Sequence, residues 1–179
     1  LGGEGDLPQL WRDYQAGKTT PQSLRGMLGD PNEHVRAWAV RLLTDQWPLD
    51  TFNGPLASAV YPDEPENVSA LMQTARNDSS GLVQLVLAST LQRMPIDKRA
   101  DLAAELVRHD EFAGDRDLPS MVWYGLMPLV AKDREGLLRV AEQCTWPSTM
   151  RWIARGLASE IERDPASVAQ LLAIASPRD

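Results

Sequence analysis

The chain has 179 residues, 43% of them hydrophobic, which suits one domain whose core needs neither disulfide nor metal support. Its 18 basic and 25 acidic residues leave a net charge of −7, so a polyanion meets repulsion before contact and nucleic acid is not an expected partner. One cysteine, Cys144, and two histidines, His34 and His109, cannot complete the four ligands of a structural zinc site.

In chain order, apolar residues recur at helical spacing, and no stretch shows sustained period-two alternation, so the fold is expected to be all-α. Helices are predicted over 6–16, 21–29, 31–46, 65–77, 80–94, 97–108, 118–131, 134–144, 148–162 and 165–175. Three starts share one device: Thr20-Pro21, Asp30-Pro31 and Asp164-Pro165 each set a capping side chain before a proline at the first helical position, where its missing N–H costs nothing. Residues 47–64 carry four prolines or glycines, Pro48, Gly54, Pro55 and Pro62, and read as an irregular insertion with one helical turn at 56–60. Residues 109–117 form the other long connection, with Asp117 expected to cap the helix entered through Leu118-Pro119. Pro128 should break hydrogen bonding in helix 118–131 by removing a donor and crowding the carbonyl of Tyr124. The apolar run 121–131 is 11 residues long, against about 20 for a bilayer span, so direct membrane insertion is not expected. The chain opens on Leu1 rather than Met and is expected to be a fragment of a larger protein.

Segments 35–43, 83–91, 121–129 and 150–158 can be superposed in one register. Their first, fourth and ninth positions form an apolar stripe that includes Trp38, Val86, Tyr124 and Ile153, and their fifth is small in Ala39, Gly125 and Ala154. A more polar helix precedes each. Alternation of polar outer with apolar inner helices is what a stack of helical hairpins requires. The expected architecture is a single HEAT-like helical-repeat domain over 1–179, an α-solenoid forming a right-handed arc of about four to five antiparallel helix pairs.

Asp30-Pro-Asn-Glu-His-Val-Arg-Ala-Trp-Ala39 has the form of a HEAT-type repeat, a turn with Asp leading into Val-Arg and a small-residue helix. The series DPNEHVRAWAVRLLTD, LQRMPIDKR, LPSMVWYGLMPLV and MRWIARGLA resembles the helical-repeat region of large secreted proteins of planctomycetes and their relatives. In those proteins a sugar-dehydrogenase-like β-propeller, a HEAT-like stretch and a c-type cytochrome module share one polypeptide. The resemblance implies an extracytoplasmic, periplasmic setting and a connecting or docking role between redox modules. It does not extend to haem attachment through C-x-x-C-H, because Cys144 is followed by Thr145-Trp146-Pro147-Ser148.

Chemistry-bearing motifs are scarce. His34 lacks HExxH spacing and reads as a surface residue, and Cys144 has no base nearby in sequence and reads as a small hydrophobe. Asp110, Glu111, Asp115 and Asp117 could offer oxygen ligands to calcium, but lack the order of an EF-hand loop and read as solvated. Gly2-Gly3-Glu4-Gly5 has no preceding strand and is no phosphate cradle. No catalytic residue, cofactor or metal is expected. Arginines and aromatics on the inner helices, Arg36, Arg41, Trp123, Arg151, Trp152 and Arg155, are the candidate interaction surface, set against plain packing with arginines bonded to carboxylates such as Asp30 or Asp78.

The leading function is therefore a non-catalytic scaffold binding protein partners, either other modules of its own polypeptide or a separate protein. Two alternatives remain: a helical-repeat DNA glycosylase-like enzyme, which needs a basic groove that Lys18, Lys98 and Lys132 alone do not supply, and a free-standing cytoplasmic scaffold.

Overall fold

The computed structural model describes residues 6–51, 53–62 and 64–176. Within them the elements are α1 (Leu7–Gln15), α2 (Pro21–Met27), α3 (Glu33–Leu43), α4 (Pro65–Asn77), α5 (Gly81–Thr90), α6 (Ile96–Leu106), α7 (Leu118–Leu126), α8 (Leu129–Lys132), α9 (Arg134–Gln143), α10 (Pro147–Ala158) and α11 (Pro165–Ala175). One-turn 3-10 segments follow α5 (Leu91–Arg93) and α6 (Asp110–Phe112). The structure is all-α; among the described residues the only β contact is an isolated bridge between Thr51 and Gly54. The glycine-rich start at 2–5 and positions 52 and 63 of the insertion lie outside the described residues.

Capping chemistry explains most helix starts. Thr20 Oγ1 accepts from the Ser23 N–H at 3.1 Å while Ser23 Oγ accepts from the Thr20 N–H at 3.0 Å, a reciprocal box worth about 1 kcal/mol. Asp164 accepts from the Ser167 N–H at 3.3 Å and its hydroxyl at 2.6 Å. Two starts differ from expectation. Asp30 does not cap α3: it accepts from the Asn32 N–H at 2.8 Å, and Asn32 then caps by accepting from the His34 N–H, so the helix begins at Glu33. Asp117 does not cap α7 either. Asp115 Oδ1 takes both the Asp117 and Leu118 N–H groups at 2.8 Å, while the Asp117 carboxylate pairs with Arg116.

The helices pack in two rows. In one, α3 packs on α5, α5 on α7 and α7 on α10; in the other, α2 packs on α4, α4 on α6, α6 on α9 and α9 on α11. Each inner helix also touches the outer one preceding it, through α2–α3, α4–α5, α6–α7 and α9–α10, and α1 lies against α3. One hydrophobic core runs between the rows from Leu10 to Leu171.

Glycines set the closest approaches. Gly125 of α7 lies against the Leu91 side chain, leaving no space for a Cβ, as the small fifth position predicts. In α10 the close approach is at Gly156 rather than Ala154: Val130 Cγ2 and Trp123 lie 2.8 and 2.9 Å from where its Cβ would sit. The fourth-position stripe holds at Val86 and Ile153, which are buried, and at the half-buried Trp38. It fails at Tyr124, which is 54% exposed. Gly125 turns toward α5 and Trp123 toward α10, so Tyr124 between them faces water.

Pro128 divides the predicted helix 118–131. Regular α7 ends at Leu126, and α8 resumes at Leu129. The insertion is irregular as predicted, but its expected helical turn is only a turn closed by the Ala59 N–H donating to Leu56 O at 3.0 Å. It is nevertheless pinned to the helices. Trp47, which is buried, donates through its indole to Glu64 at 3.1 Å, and the Asp50 N–H donates to Gln92 O at 3.0 Å. Gly54, at φ +92°, sits on the Pro128 ring, where a Cβ would be 2.9 Å away.

Candidate interaction surface

The inner helices each turn one face to the outer row; α5 and α7 also pack both flanks on row neighbours, α3 packs on α1 and α5 and α10 on α7, and each leaves a face free. On α3 that face carries Trp38 and Arg41, three residues apart and therefore adjacent on the surface. The Arg41 guanidinium lies over the Trp38 ring at 5.0 Å, and Trp11 of α1, 41% exposed, meets Trp38 edge-on with centroids 5.0 Å apart. Such contacts are worth about 0.5–1 kcal/mol at exposed sites, enough to hold the Arg41 side chain extended along the surface.

On α5 the free positions are the half-buried Leu85 and the exposed Ser89, continued by Gln92 and Arg93 of the following 3-10 turn. Arg93 donates to the backbone carbonyls of Trp47 at 2.9 Å and Asp45 at 3.3 Å. On α7 they are Tyr124 and Met127, the latter 38% exposed. On α10, Arg151 and Arg155 sit one turn apart, both exposed, with Trp152 half-buried beside them.

Two clefts join these helices. One, of about 300 Å³, lies between α3 and α5 and is lined by Trp38, Arg41, Asp45, Ser89 and Arg93 among others. The second, of about 170 Å³, lies between the turn after α5 and the end of α7, with Gln92, Tyr124, Met127 and Pro128 in its wall.

The charges are unevenly divided. Helices α3, α5, α7 and α10 hold four arginines, Arg36, Arg41, Arg151 and Arg155, and one acid, Glu33, in a chain of net charge −7. Glu33 is itself engaged by the Ser80 hydroxyl. In the outer row acids and bases are interleaved: Asp97, Asp101 and Glu105 with Lys98 and Arg99 on α6, and Glu135 and Glu142 with Arg134 and Arg139 on α9.

The structure brings Arg41, Arg151, Trp152 and Arg155 onto this free inner face and uses Arg36 and Trp123 for packing. Arg36 donates to both Asp78 oxygens, at 2.6 and 2.9 Å, and to the Asp30 carbonyl at 2.9 Å, tying the α2–α3 turn to the α4–α5 turn. Asp78 raises the Arg36 pKa. Trp123 fills the space above Gly156. Sequence reasoning left out Trp11, Arg93, Met127 and the exposed Tyr124. The spacing of Tyr124 and Met127 is the one signal that could have found two of them, because residues three apart share a face.

Elsewhere most charged side chains are paired, although the buried Tyr61 Oη, Gln84 Oε1, Arg134 Nε and Thr149 Oγ1 have no hydrogen-bond partner among the described residues. A groove of about 470 Å³ between the α2–α3 turn and α4 is lined by Arg25, Asp30, Arg36 and Asp78, but Arg25 donates to Asn67 at 2.6 Å and Arg36 to Asp78. In the acidic connection, Glu111 is lowered in pKa by its own backbone N–H and by His109, and Asp117 by Arg116. No group of three or more His, Cys, Asp or Glu able to hold a metal occurs among the described residues. Among them, too, no helix is long and apolar enough to cross a membrane. Comparisons of the chain with protein-family models, with curated proteins and with solved structures give no match.

Proposed function

We propose that the chain is a HEAT-like α-solenoid of about four to five helix pairs that acts as a non-catalytic scaffold, connecting or docking modules of a larger extracytoplasmic redox protein. The observation that carries the scaffold reading is the two-row packing, in which α5 and α7 each contact both neighbours in their row, α3 and α10 form its ends, and each of the four contacts at least one outer helix yet keeps a face open. An open face built by successive helices is the usual docking surface of helical repeats. The extracytoplasmic redox setting rests on the resemblance of segments 28–160 to planctomycete multidomain proteins. Extending the reading frame in both directions tests that setting: a signal peptide, a propeller module and a C-x-x-C-H motif are expected. A short frame without them would remove the redox context and leave a free-standing scaffold.

The arginines and tryptophans of the inner face favour one other reading, a glycosylase-like enzyme acting on DNA. Such an enzyme needs a carboxylate aimed at the bound base. In the wall of the Trp38 cleft the carboxylate is Asp45, which accepts from the Tyr14 hydroxyl at 3.0 Å. An assay for base release from alkylated DNA separates the two: no release above background is expected, and release abolished by Asp45→Asn would replace the scaffold reading with an enzyme.

A further inference from the structure

Resting on the scaffold reading and deepening it, we propose that the inner face binds an acidic peptide segment carrying apolar or aromatic side chains, laid across α3, α5, α7 and α10. The basis is charge complementarity joined to exposed apolar area. Arg41, Arg93, Arg151 and Arg155 outnumber the acid of this face, Asp45 in the wall of the Trp38 cleft, and among the described residues none of the four is bonded to a carboxylate. Arg41 stacks on Trp38, Arg93 donates to carbonyl oxygens, and Arg151 donates to the Ser148 hydroxyl at 3.1 Å. By contrast Arg36, Arg76 and Arg99, on other faces, each carry a bidentate carboxylate.

Around the arginines the surface carries exposed apolar groups beside the polar Ser89 and Gln92. Tyr124, Met127 and Trp11 are large exposed hydrophobic groups of this face, while Leu49, Leu56, Val60, Ile161 and Leu172 are exposed elsewhere. Exposed tryptophan, tyrosine and arginine are the side chains that anchor interfaces, since they combine large area with directional bonding. Met127 adds an adaptable thioether at the mouth of the second cleft. The arginine pairs lie at the two ends of the row, Arg41 and Arg93 at one and Arg151 and Arg155 at the other. Carboxylates spaced along an extended peptide would engage both ends while apolar side chains fill the clefts between. A peptide is favoured over nucleic acid because a few arginines in a chain of −7 cannot offset the phosphate density of a polynucleotide.

The test is selection from a random peptide library on the whole chain, followed by fluorescence anisotropy with the selected peptides and with a single-stranded oligonucleotide. Enrichment of Asp or Glu with Trp, Phe or Leu is expected. Affinity should fall about tenfold in the double variant Arg151→Glu, Arg155→Glu, and further at higher salt. Both positions are exposed, so the helical circular-dichroism signal should be unchanged. Selection of basic or uncharged peptides, or of none, overturns the inference, as does oligonucleotide binding with no peptide binding. Acidic peptides whose binding survives the charge reversal also overturn it, while leaving the scaffold reading intact. Turnover in the base-release assay overturns the scaffold reading itself.

Discussion

The Arg99 guanidinium, wholly buried on α6, donates to both carboxylate oxygens of Asp50, at 2.6 and 2.7 Å, across 49 residues of the chain. Its remaining N–H groups reach Met94 O at 2.9 Å and Gly125 O at 3.1 Å. One side chain thus ties the irregular insertion to the turn after α5 and to the C-terminal end of α7. Removing one partner strands a buried charge, so Arg99→Ala should cost about 3–5 kcal/mol in urea denaturation, and Asp50→Asn a smaller part of that. The double change Asp50→Asn, Arg99→Met should recover much of the loss.

Gly125 and Gly26 offer a contrast within one residue type. A methyl at Gly125 would collide with Leu91, so Gly125→Ala should destabilise by about 1–3 kcal/mol. Gly26, in α2, has nothing within 4 Å of its Cβ position and an ordinary helical backbone. Gly26→Ala should stabilise by about 0.4–1 kcal/mol. Thermal melts of the two variants should move in opposite directions.

Glu105 joins α6 to α4 by accepting from Arg76 at 2.7 and 3.1 Å, with Arg108 at 3.3 Å, and the Arg76 hydrogen bonds hold its pKa below the ordinary 4.5. A carboxylate with a depressed folded pKa stabilises the protein above its unfolded value and loses that contribution as pH falls through the folded one. Stability should therefore be flat with respect to this group above the ordinary glutamate value and decline below it. Denaturation midpoints against pH should show a shallower acid limb for Glu105→Gln.

Burial raises the pKa of the Cys144 thiol, whose Sγ lies 3.5 Å from the Trp146 carbonyl oxygen. Thiolate is the reactive form, so alkylation by iodoacetamide at neutral pH should be slow in the folded chain. In denaturant it should rise to the rate of an ordinary cysteine. Mass spectrometry over time measures both.

Much of the helical framework was legible because its signals are local. Thr20-Pro21 and Asp164-Pro165 carry their caps within three residues, and Pro128 announces its own break. Features set by distant partners were not. Arg99 reads as a surface residue on an amphipathic helix until Asp50 folds onto it. Tyr124 reads as core until Gly125 and Trp123 fix the rotation of α7. Asp115 and Asp117 compete for the same N–H groups, and chain geometry rather than residue type decides between them. The exposure of Arg41, Arg151 and Arg155 was legible from their helical spacing, whereas the half-burial of Arg36 was not, because its partner Asp78 lies 42 residues away. The contribution of Trp11 depends on how α1 docks on α3, which no local pattern encodes.

The six tryptophans provide the most direct test of an inner face that docks acidic segments. Trp47 and Trp146 are buried, with indole N–H groups bonded to Glu64 at 3.1 Å and to the His109 carbonyl at 2.9 Å, and serve as internal controls. Trp11, Trp38 and Trp152 belong to the free face, and Trp123 lies behind it. On titration with a selected acidic peptide, the indole NMR resonances of Trp11, Trp38 and Trp152 should move together and saturate, while those of Trp47 and Trp146 stay in place. Saturable binding that leaves Trp38 and Trp152 unmoved, or moves Trp47 and Trp146 instead, would contradict the account.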